Sequence, residues 1–183
     1  MTALTTNDQR LTTVPSSMLS LLLSLFLAPP ADTLRPTTIV VVRHAEKSAE
    51  PANDPALSPA GVARAAALDS ALADAKVTAI IVTPYRRNAE TAVPVAKRFG
   101  LTPFVMPIAP QLGIKGHALA VAAKARELGG TVLVVGHSNT VGAVVEALGG
   151  PKVGDLPDSE YTQMWTVVVG DDGVRVVRSR FGG

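Results

Sequence analysis

Two runs of β-branched residues, each followed closely by a histidine, constrain the fold of this chain more than any other feature. The first run, at residues 39–47, reads IVVVRHAEK, and the second, at residues 132–139, reads VLVVGHSN. Continuous apolar runs of this length are typical of buried strands in a parallel sheet. Because ligands bind at the carboxyl ends of such strands, we expect His44 and His137 to lie at one ligand-binding edge.

A third apolar run points to the same edge of the sheet. The strand predicted at residues 79–83, AIIVT, is followed by the arginine pair Arg86 and Arg87. Arginine offers a planar fork of donors that matches the oxygens of a phosphate group. An edge that carries two imidazoles and several guanidinium groups therefore suits a phosphoryl group.

Apolar runs and helical patterns alternate along the chain, which predicts an α/β fold arranged as a three-layer α/β/α sandwich. The central sheet is expected to be mostly parallel, and GDDG at residues 170–173 predicts a C-terminal antiparallel hairpin. Ser58 is a good N-cap, and Pro59 suits the first position of a helix. The predicted helices cover residues 59–75, 86–99, 116–128 and 139–148, and the predicted strands cover residues 37–42, 79–83, 101–107, 131–135, 161–169 and 174–180. Pro94 is expected to kink or divide the second helix.

Residues 1–36 are interpreted as a signal peptide and linker, and residues 37–183 as one domain. The run MLSLLLSLFLA at residues 18–28 is shorter than the roughly 20 apolar residues that span a bilayer, but it has the length of a signal-peptide core. We expect cleavage near Ala28 or Ala31 and a periplasmic or secreted protein with no stable membrane anchor after processing. The alternative is a buried N-terminal helix on a cytoplasmic protein.

Composition narrows the classes of function. The chain has 17 Lys and Arg against 15 Asp and Glu, and its basic residues form no long run, so nucleic-acid binding is not expected. It has no cysteine, which excludes disulfides, thiolate catalysis and cysteine metal sites. Two histidines could serve a metallohydrolase, but the carboxylate clusters of a two-metal site are missing, so we expect neither a metal nor a cofactor.

Four short boxes resemble those of the histidine phosphatase superfamily, also called the phosphoglycerate-mutase-like family, in order and in approximate spacing. RHA at residues 43–45 resembles the Arg-His-Gly/Ala box, and LSPAG at residues 57–61 resembles the Leu-Thr-x-x-Gly helix start. RNAET at residues 87–91 resembles the Arg-x-x-Gln/Glu-Thr box, and GH at residues 136–137 resembles the second-histidine box. The chain is similar to the small single-domain branch of this superfamily.

The resemblance implies a phosphatase that works through a phosphohistidine intermediate. His44 would be the nucleophile, and Arg43 and Arg87 would bind the oxygens of the phosphoryl group. His137 would bind phosphate and stabilise the charge that develops on the transferring group. Arg86 is interpreted as a residue at the rim of the site, because the spacing of the Arg-x-x-Gln/Glu-Thr box selects its neighbour Arg87.

Other residues near the boxes have weaker roles in this interpretation. Ser138 and Asn139 are expected to open a helix whose N-terminus could add backbone donors. Tyr85 lies on a loop at the same edge and could line the pocket. Tyr161 and Trp165 are predicted on one face of a strand, where a structural role is expected.

The sequence does not identify the general acid that protonates the leaving group. Mutase-type relatives place a Glu after the Arg-x-x-Gln-Thr box, and acid-phosphatase-type relatives place an Asp after the second histidine, but here residues 111–117 hold no carboxylate and a serine follows the histidine. Glu46, the carboxylate closest in the chain to the nucleophile, and His117 are the candidates. Asp155 and Glu160 lie on a loop that could fold over the site. A good leaving group, such as phosphohistidine or an acyl phosphate, would need no strong acid.

We therefore expect a metal-independent phosphatase that acts on a small phosphorylated substrate, either a phosphomonoester or phosphohistidine. A small domain has little with which to exclude water from an intermediate, which favours hydrolysis over return of the phosphoryl group to product. Two alternatives stay open: a phosphate-ligand binding module with little turnover, and a phosphomutase.

Overall fold

The computed structural model describes residues 36–182. The predicted signal peptide lies outside these residues, as does the predicted linker apart from Pro36. In chain order the elements are β1 (Thr37–Arg43), α1 (Pro59–Ala71), β2 (Ala79–Val82), α2 (Arg86–Phe99), β3 (Phe104–Val105), α3 (Gly113–Leu128), β4 (Thr131–Gly136), α4 (Val141–Ala147), β5 (Gln163–Gly170) and β6 (Gly173–Arg180). A short 3-10 turn, Pro110–Leu112, precedes α3.

The strands form one sheet in the order β3-β2-β4-β1-β5-β6. The first four of these are parallel to their neighbours, and β5 and β6 add an antiparallel hairpin. In the register of the two central strands, Arg43 lies beside Gly136. The predicted α/β fold and its C-terminal hairpin are confirmed, and the carboxyl ends of β1 and β4 lie side by side.

Helices cover both faces of the sheet, which explains why residues 39–42 and 132–135 of the central strands are all apolar. Ile39 and Val41 of β1 pack in one buried cluster with α3 and α4. Val40 and Val42 pack in a second cluster with α1 and α2. A strand that is buried on both faces has no solvent-facing positions, so it shows no alternation in sequence. None of the helices among residues 36–182 has the length and apolar character needed to cross a membrane.

Ser58 caps α1 through a hydrogen bond from the Gly61 amide to its hydroxyl, as predicted, but the helix ends at Ala71 rather than near residue 75. The prediction that Pro94 divides the second helix is wrong, since α2 runs unbroken to Phe99. Ala92 and Val95 lie on the buried face of that helix on either side of the proline and pack in the core. Tertiary packing of this face holds the two halves of the helix in one element.

The ends of three other elements differ from the prediction. The short strand predicted at residues 101–107 is reduced to Phe104–Val105. Helix α3 begins at Gly113, three residues before the predicted start, because the preceding 3-10 turn has already wound the chain. Helix α4 begins at Val141 and not at Asn139, because residues 137–140 form a turn in which the Thr140 amide donates to the His137 carbonyl.

Candidate active site

A cavity of about 550 Å³ opens at the carboxyl ends of β1, β2 and β4. Its volume lies in the range of about 300–1,000 Å³ that is typical of small-molecule sites. Six residues that the sequence singled out as site candidates line it: Arg43, His44, Arg87, His117, His137 and Asn139. The remaining lining residues are Lys47, Tyr85, Ile108, Ala109, Pro110, Gly113, Ile114, Ser138, Thr140 and Asp158.

His44 follows β1 directly, and its side chain is held in a single orientation. The residue is 4% exposed, and its Nδ1 lies 2.8 Å from the Ala45 carbonyl oxygen. Because a carbonyl oxygen only accepts, Nδ1 carries the ring proton and Nε2 carries the lone pair. Burial lowers the pKa of His44 from 6.5 to about 4, and the hydrogen bond to Ala45 opposes this shift without cancelling it. The imidazole is therefore a neutral base at neutral pH.

The backbone around the nucleophile is fixed by two of the sequence boxes. The Ala45 amide donates to the Thr91 hydroxyl over 2.9 Å, and that hydroxyl donates to the carbonyl oxygen of Arg87. The Ser58 amide donates to the Glu46 carbonyl oxygen. Gly61 lies against this same carbonyl, where a Cβ atom would clash with the oxygen. The threonine and glycine of these boxes therefore hold the turn that positions the nucleophile.

His137 follows β4 and is held through Nε2, whereas His44 is held through Nδ1. Its Nε2 lies 3.0 Å from the Thr83 hydroxyl oxygen, and its amide donates to the Thr140 hydroxyl over 2.8 Å. Burial is the main cause that lowers the pKa of His137 to about 3, with repulsion from His44 and Arg87 adding to it. The two imidazole rings lie 5.4 Å apart, centroid to centroid. Both rings are neutral while the cavity is empty.

Arg87 lies at the start of α2 and faces the nucleophilic nitrogen. Its Nε donates to His44 Nε2 over 3.3 Å, and its guanidinium lies 4.3 Å from the ring centroid of Tyr85. Asp54 approaches one terminal nitrogen at 4.0 Å. The side chain is only 15% exposed, so a cation is held beside the lone pair of the nucleophile.

Arg43 is buried, and one of its terminal nitrogens binds a loop of the protein. Nη1 donates to the carbonyl oxygens of Pro157, Asp158 and Glu160 at 2.9 to 3.0 Å. Nη2 donates to the Tyr161 hydroxyl over 3.3 Å, while Nε is buried without a partner. A buried N–H group without a partner is costly. The Nε–Nη2 edge therefore provides donors for an anion, and Nη1 serves the fold.

Four of the predicted residues do not enter the cavity. Glu46 binds Arg64, with its carboxylate 2.7 Å from Nη2. Burial opposes the shift, but these hydrogen bonds lower the pKa of Glu46 below its usual value. An ion-paired carboxylate outside the cavity cannot protonate a leaving group there, so we withdraw Glu46 as the general acid. Arg86 pairs with Glu90 on the surface, as expected of a rim residue.

The other two are the carboxylates of the loop that precedes β5. Asp155 is exposed and does not line the cavity. Glu160 accepts hydrogen bonds from Thr162, which lower its pKa to about 2, and pairs with Arg180 at 3.1 Å. Glu160 therefore holds the start of β5 and is also withdrawn.

His117 and Asn139 both line the cavity. His117 lies on α3, within the helix that the sequence predicted, and burial lowers its pKa. Asn139 lies in the turn before α4, so the helix N-terminus expected at Ser138 and Asn139 does not form there. Neither side chain makes a hydrogen bond to His44 or His137 that would define a role.

Sequence reasoning missed several residues that define the geometry. Thr91 was visible only as a member of a box and Thr83 only as the last residue of a predicted strand, although their hydroxyls hold the two histidine segments. Tyr161 was predicted on a strand, but it precedes β5 and stacks on Arg43, 4.0 Å from guanidinium carbon to ring centroid. Asp158 was not singled out, because nothing local marks it among the polar residues of its loop. Among the described residues, no group of three or more His, Asp or Glu side chains is arranged to hold a metal ion.

The fold and this edge define an α/β protein with two histidines and two arginines gathered at the carboxyl ends of its parallel strands. Residues 39–108 match the family model of the histidine phosphatase superfamily, branch 1. The matched residues contain three of the four sequence boxes, which confirms the resemblance of this part of the chain to the superfamily. No curated protein gives a significant match to the chain.

Solved structures share the fold at low sequence identity. The protein histidine phosphatase SixA complexed with tungstate is 18% identical, with a TM-score of 0.61 over 78% of this chain and 96% of that chain. A mycobacterial glucosyl-3-phosphoglycerate phosphatase is 16% identical, with a TM-score of 0.54 over 80% of this chain and 98% of that chain. A phosphoglycerate mutase from Bacillus anthracis is 17% identical, with a TM-score of 0.56 over 79% of this chain and 93% of that chain. Phosphatases and a mutase thus share this architecture.

Proposed function

We propose that the protein is a phosphoric monoester hydrolase that uses His44 as its nucleophile and passes through a phosphohistidine. The observation that carries this proposal is the hydrogen bond from Nδ1 to the Ala45 carbonyl, because it places the ring proton on Nδ1 and the lone pair on Nε2, beside the Arg87 guanidinium. The lowered pKa keeps this nitrogen unprotonated at neutral pH. A neutral imidazole held in one orientation is suited to attack on phosphorus.

In the proposed first step, Nε2 attacks the phosphorus atom and the bond to the leaving group breaks. In the second step, water attacks phosphorus, the P–N bond breaks and inorganic phosphate is released. The phosphoryl oxygens would be bound by Arg87 and by the Nε–Nη2 edge of Arg43. His137 would take up a proton when the dianion binds, because the negative charge opposes the effect of burial on its pKa.

The substrate class is a small phosphorylated molecule, either a phosphomonoester or phosphohistidine. The cavity volume supports a small ligand. Hydrolysis is favoured over phosphomutase activity because the domain is small, and water can reach an intermediate at an open sheet edge. The proposed reaction needs no metal, since arginine and imidazole provide the positive charge that phosphoryl transfer requires.

Phosphate release by the full-length protein tests this proposal. The panel is p-nitrophenyl phosphate, sugar phosphates and a phosphohistidine peptide, each with EDTA present, for the wild type and for His44→Ala. We expect turnover by the wild type and none above background by the variant, together with an acid-labile, alkali-stable phosphoenzyme trapped only in the wild type. Lys124→Gln, a change on α3 outside the cavity, is the control for effects of expression and purification. Equal turnover by His44→Ala would refute the proposal.

We also propose that the protein is exported. The support is the apolar run at residues 18–28 and the prolines that follow it. N-terminal sequencing of the protein recovered from the periplasm or medium is expected to start after Ala28 or Ala31. Recovery in the cytoplasm with an intact N-terminus would contradict export.

A further inference from the structure

The cavity has one carboxylate among the described residues that line it, and no sequence box contains that residue. Asp158 lies on the loop between α4 and β5, and its side chain is fully exposed at the cavity. The inference below rests on the proposed function, because it concerns how the leaving group departs from the phosphoryl group on His44.

The backbone around Asp158 is held in place even though its side chain is free. Nη1 of Arg43 donates to the carbonyl oxygens of Pro157, Asp158 and Glu160. The Leu156 amide donates to the Ser138 carbonyl oxygen over 2.9 Å, which joins the loop to the turn after β4. The strand end that delivers the nucleophile therefore also fixes the position of this carboxyl group.

The side chain itself is placed to reach a bound phosphoryl group. Its Oδ1 lies 3.8 Å from Nη2 of Arg43, the nitrogen at the free edge of that guanidinium. A dianion on this edge would neutralise the arginine and put a negative charge next to the carboxylate. Like charges at short range favour uptake of a proton by one of them, and an exposed carboxyl group can take that proton from water.

The other candidates for the acid are less suited to the task. Glu46 and Glu160 are both engaged in ion pairs and do not line the cavity. His117 lines the cavity, but burial lowers its pKa, which disfavours the doubly protonated ring that an acid needs. An acid must come within hydrogen-bond reach of the leaving oxygen, which only a side chain at the cavity can do.

We propose that Asp158 is the general acid and base of the reaction. As His44 Nε2 bonds to phosphorus, the P–O bond breaks, its electron pair goes to the leaving oxygen, and the Asp158 carboxyl proton moves to that oxygen to give the alcohol. The Asp158 carboxylate then accepts a proton from the attacking water as the P–N bond breaks and its electron pair returns to Nε2. Phosphate leaves, and the carboxyl group is restored.

The test compares leaving groups that do and do not need a proton. The full-length wild type, Asp158→Asn and the matched control Asp155→Asn are assayed on alkyl phosphates, whose alkoxide leaves poorly, and on p-nitrophenyl phosphate, whose phenolate leaves without help. We expect Asp158→Asn to lower kcat/KM, which reports the phosphorylation of His44 and not the later hydrolysis, by about 100-fold or more on alkyl phosphates and by less than about fivefold on p-nitrophenyl phosphate. Asp155→Asn changes neither, and Asp158→Glu restores part of the alkyl phosphate activity.

Two outcomes would overturn this assignment. One is an equal loss on both substrate types, which would make Asp158 a structural or binding residue. The other is no loss on alkyl phosphates. Failure of the proposed function has a different signature, because His44→Ala would then retain turnover of p-nitrophenyl phosphate. Thermal unfolding of each variant verifies that the fold is intact, which is expected because the backbone of Asp158, rather than its side chain, makes the close contacts.

Discussion

The ends of β1 and β4 lie side by side and each is followed by a histidine, but the two imidazoles are held in opposite ways. His44 donates from Nδ1 to the adjacent Ala45 carbonyl, which leaves the lone pair on Nε2, where Arg87 Nε donates to it. His137 engages Nε2 with the Thr83 hydroxyl. Burial lowers both pKa values, so the difference lies in which ring nitrogen the fold holds and which group faces the other nitrogen. Two equivalent positions in the sheet therefore provide one nucleophilic nitrogen beside a cation and one ring suited to binding.

The largest expected effect comes from removing each histidine in turn. His44→Ala should lower kcat by about 10⁴-fold or more, as loss of a nucleophile does, and should abolish the phosphoenzyme. His137→Ala should lower kcat by about 10²–10³-fold, as loss of one charge-stabilising group does, while the phosphoenzyme still forms slowly. Rapid-quench trapping with labelled substrate measures both. A phosphoenzyme in His44→Ala but not in His137→Ala would reverse the assignment.

Substitution of the two arginines should lower activity to a similar extent but affect stability differently, because only Arg43 also supports the fold. Arg43→Lys and Arg87→Lys should each lower kcat/KM by about 10²-fold, since lysine lacks the planar fork. Arg43→Lys should also lower the free energy of unfolding by about 1–3 kcal/mol, because the carbonyl groups held by Nη1 lose their donor. Urea denaturation measures this difference, and equal stability of the two variants would contradict it.

Stability should fall when the pH is lowered from about 6.5 to about 4.5. The pKa of His44 is lowered from 6.5 to about 4 in the folded protein, so the unfolded chain binds more protons in this window and gains stability relative to the fold. This one residue should account for about 2 kcal/mol over the window. The carboxylates with lowered pKa values are Glu46 and Glu160, which start from 4.5, and Asp69, which starts from 3.8, so they act mainly below this window.

Urea denaturation as a function of pH measures this dependence. The double variant His44→Gln/His137→Gln is the matched comparison, because it removes two of the three imidazoles whose pKa values burial lowers. Its free energy of unfolding should depend less on pH between 4.5 and 6.5 than that of the wild type. The same slope in both proteins would show that the histidines do not cause the dependence.

Smaller effects are expected from the threonines behind the two rings, one mainly on stability and the other mainly on kcat. Thr91→Val removes the acceptor of the buried Ala45 amide, so it should lower the free energy of unfolding by about 1–3 kcal/mol. Thr83→Val removes the partner of His137 Nε2, so it should lower kcat about tenfold, equivalent to about 1.4 kcal/mol, with little loss of stability. Thermal melts and steady-state kinetics on both variants show whether the effects divide in this way.

The smallest effect is expected at Glu46, although it lies close to the nucleophile in the chain. Its carboxylate binds Arg64 outside the cavity, so Glu46→Gln should leave kcat within about twofold. The partly buried ion pair should contribute about 1 kcal/mol to stability. A large loss of kcat without loss of stability would return Glu46 to the list of candidate acids.

Much of the fold follows from local sequence patterns. Runs such as residues 39–42 and 132–135 specify strands buried on both faces, and Ser58 with Pro59 specifies where α1 begins. Each of these signals acts between near neighbours in the chain, so it is readable from the sequence. The local signal fails at Pro94, where packing of the helix face overrode a helix breaker.

The sequence by itself determined which side chains gather at one sheet edge, because parallel strands bring their carboxyl ends together whatever their loops do. Only the tertiary structure decided what each of these side chains does. The partners Thr83 of His137, Arg64 of Glu46 and the 157–161 loop of Arg43 lie far from them in the chain. Such contacts depend on sheet order and loop path. Hydrogen bonding, which sets the partners of each imidazole ring and of each guanidinium group, follows from those contacts.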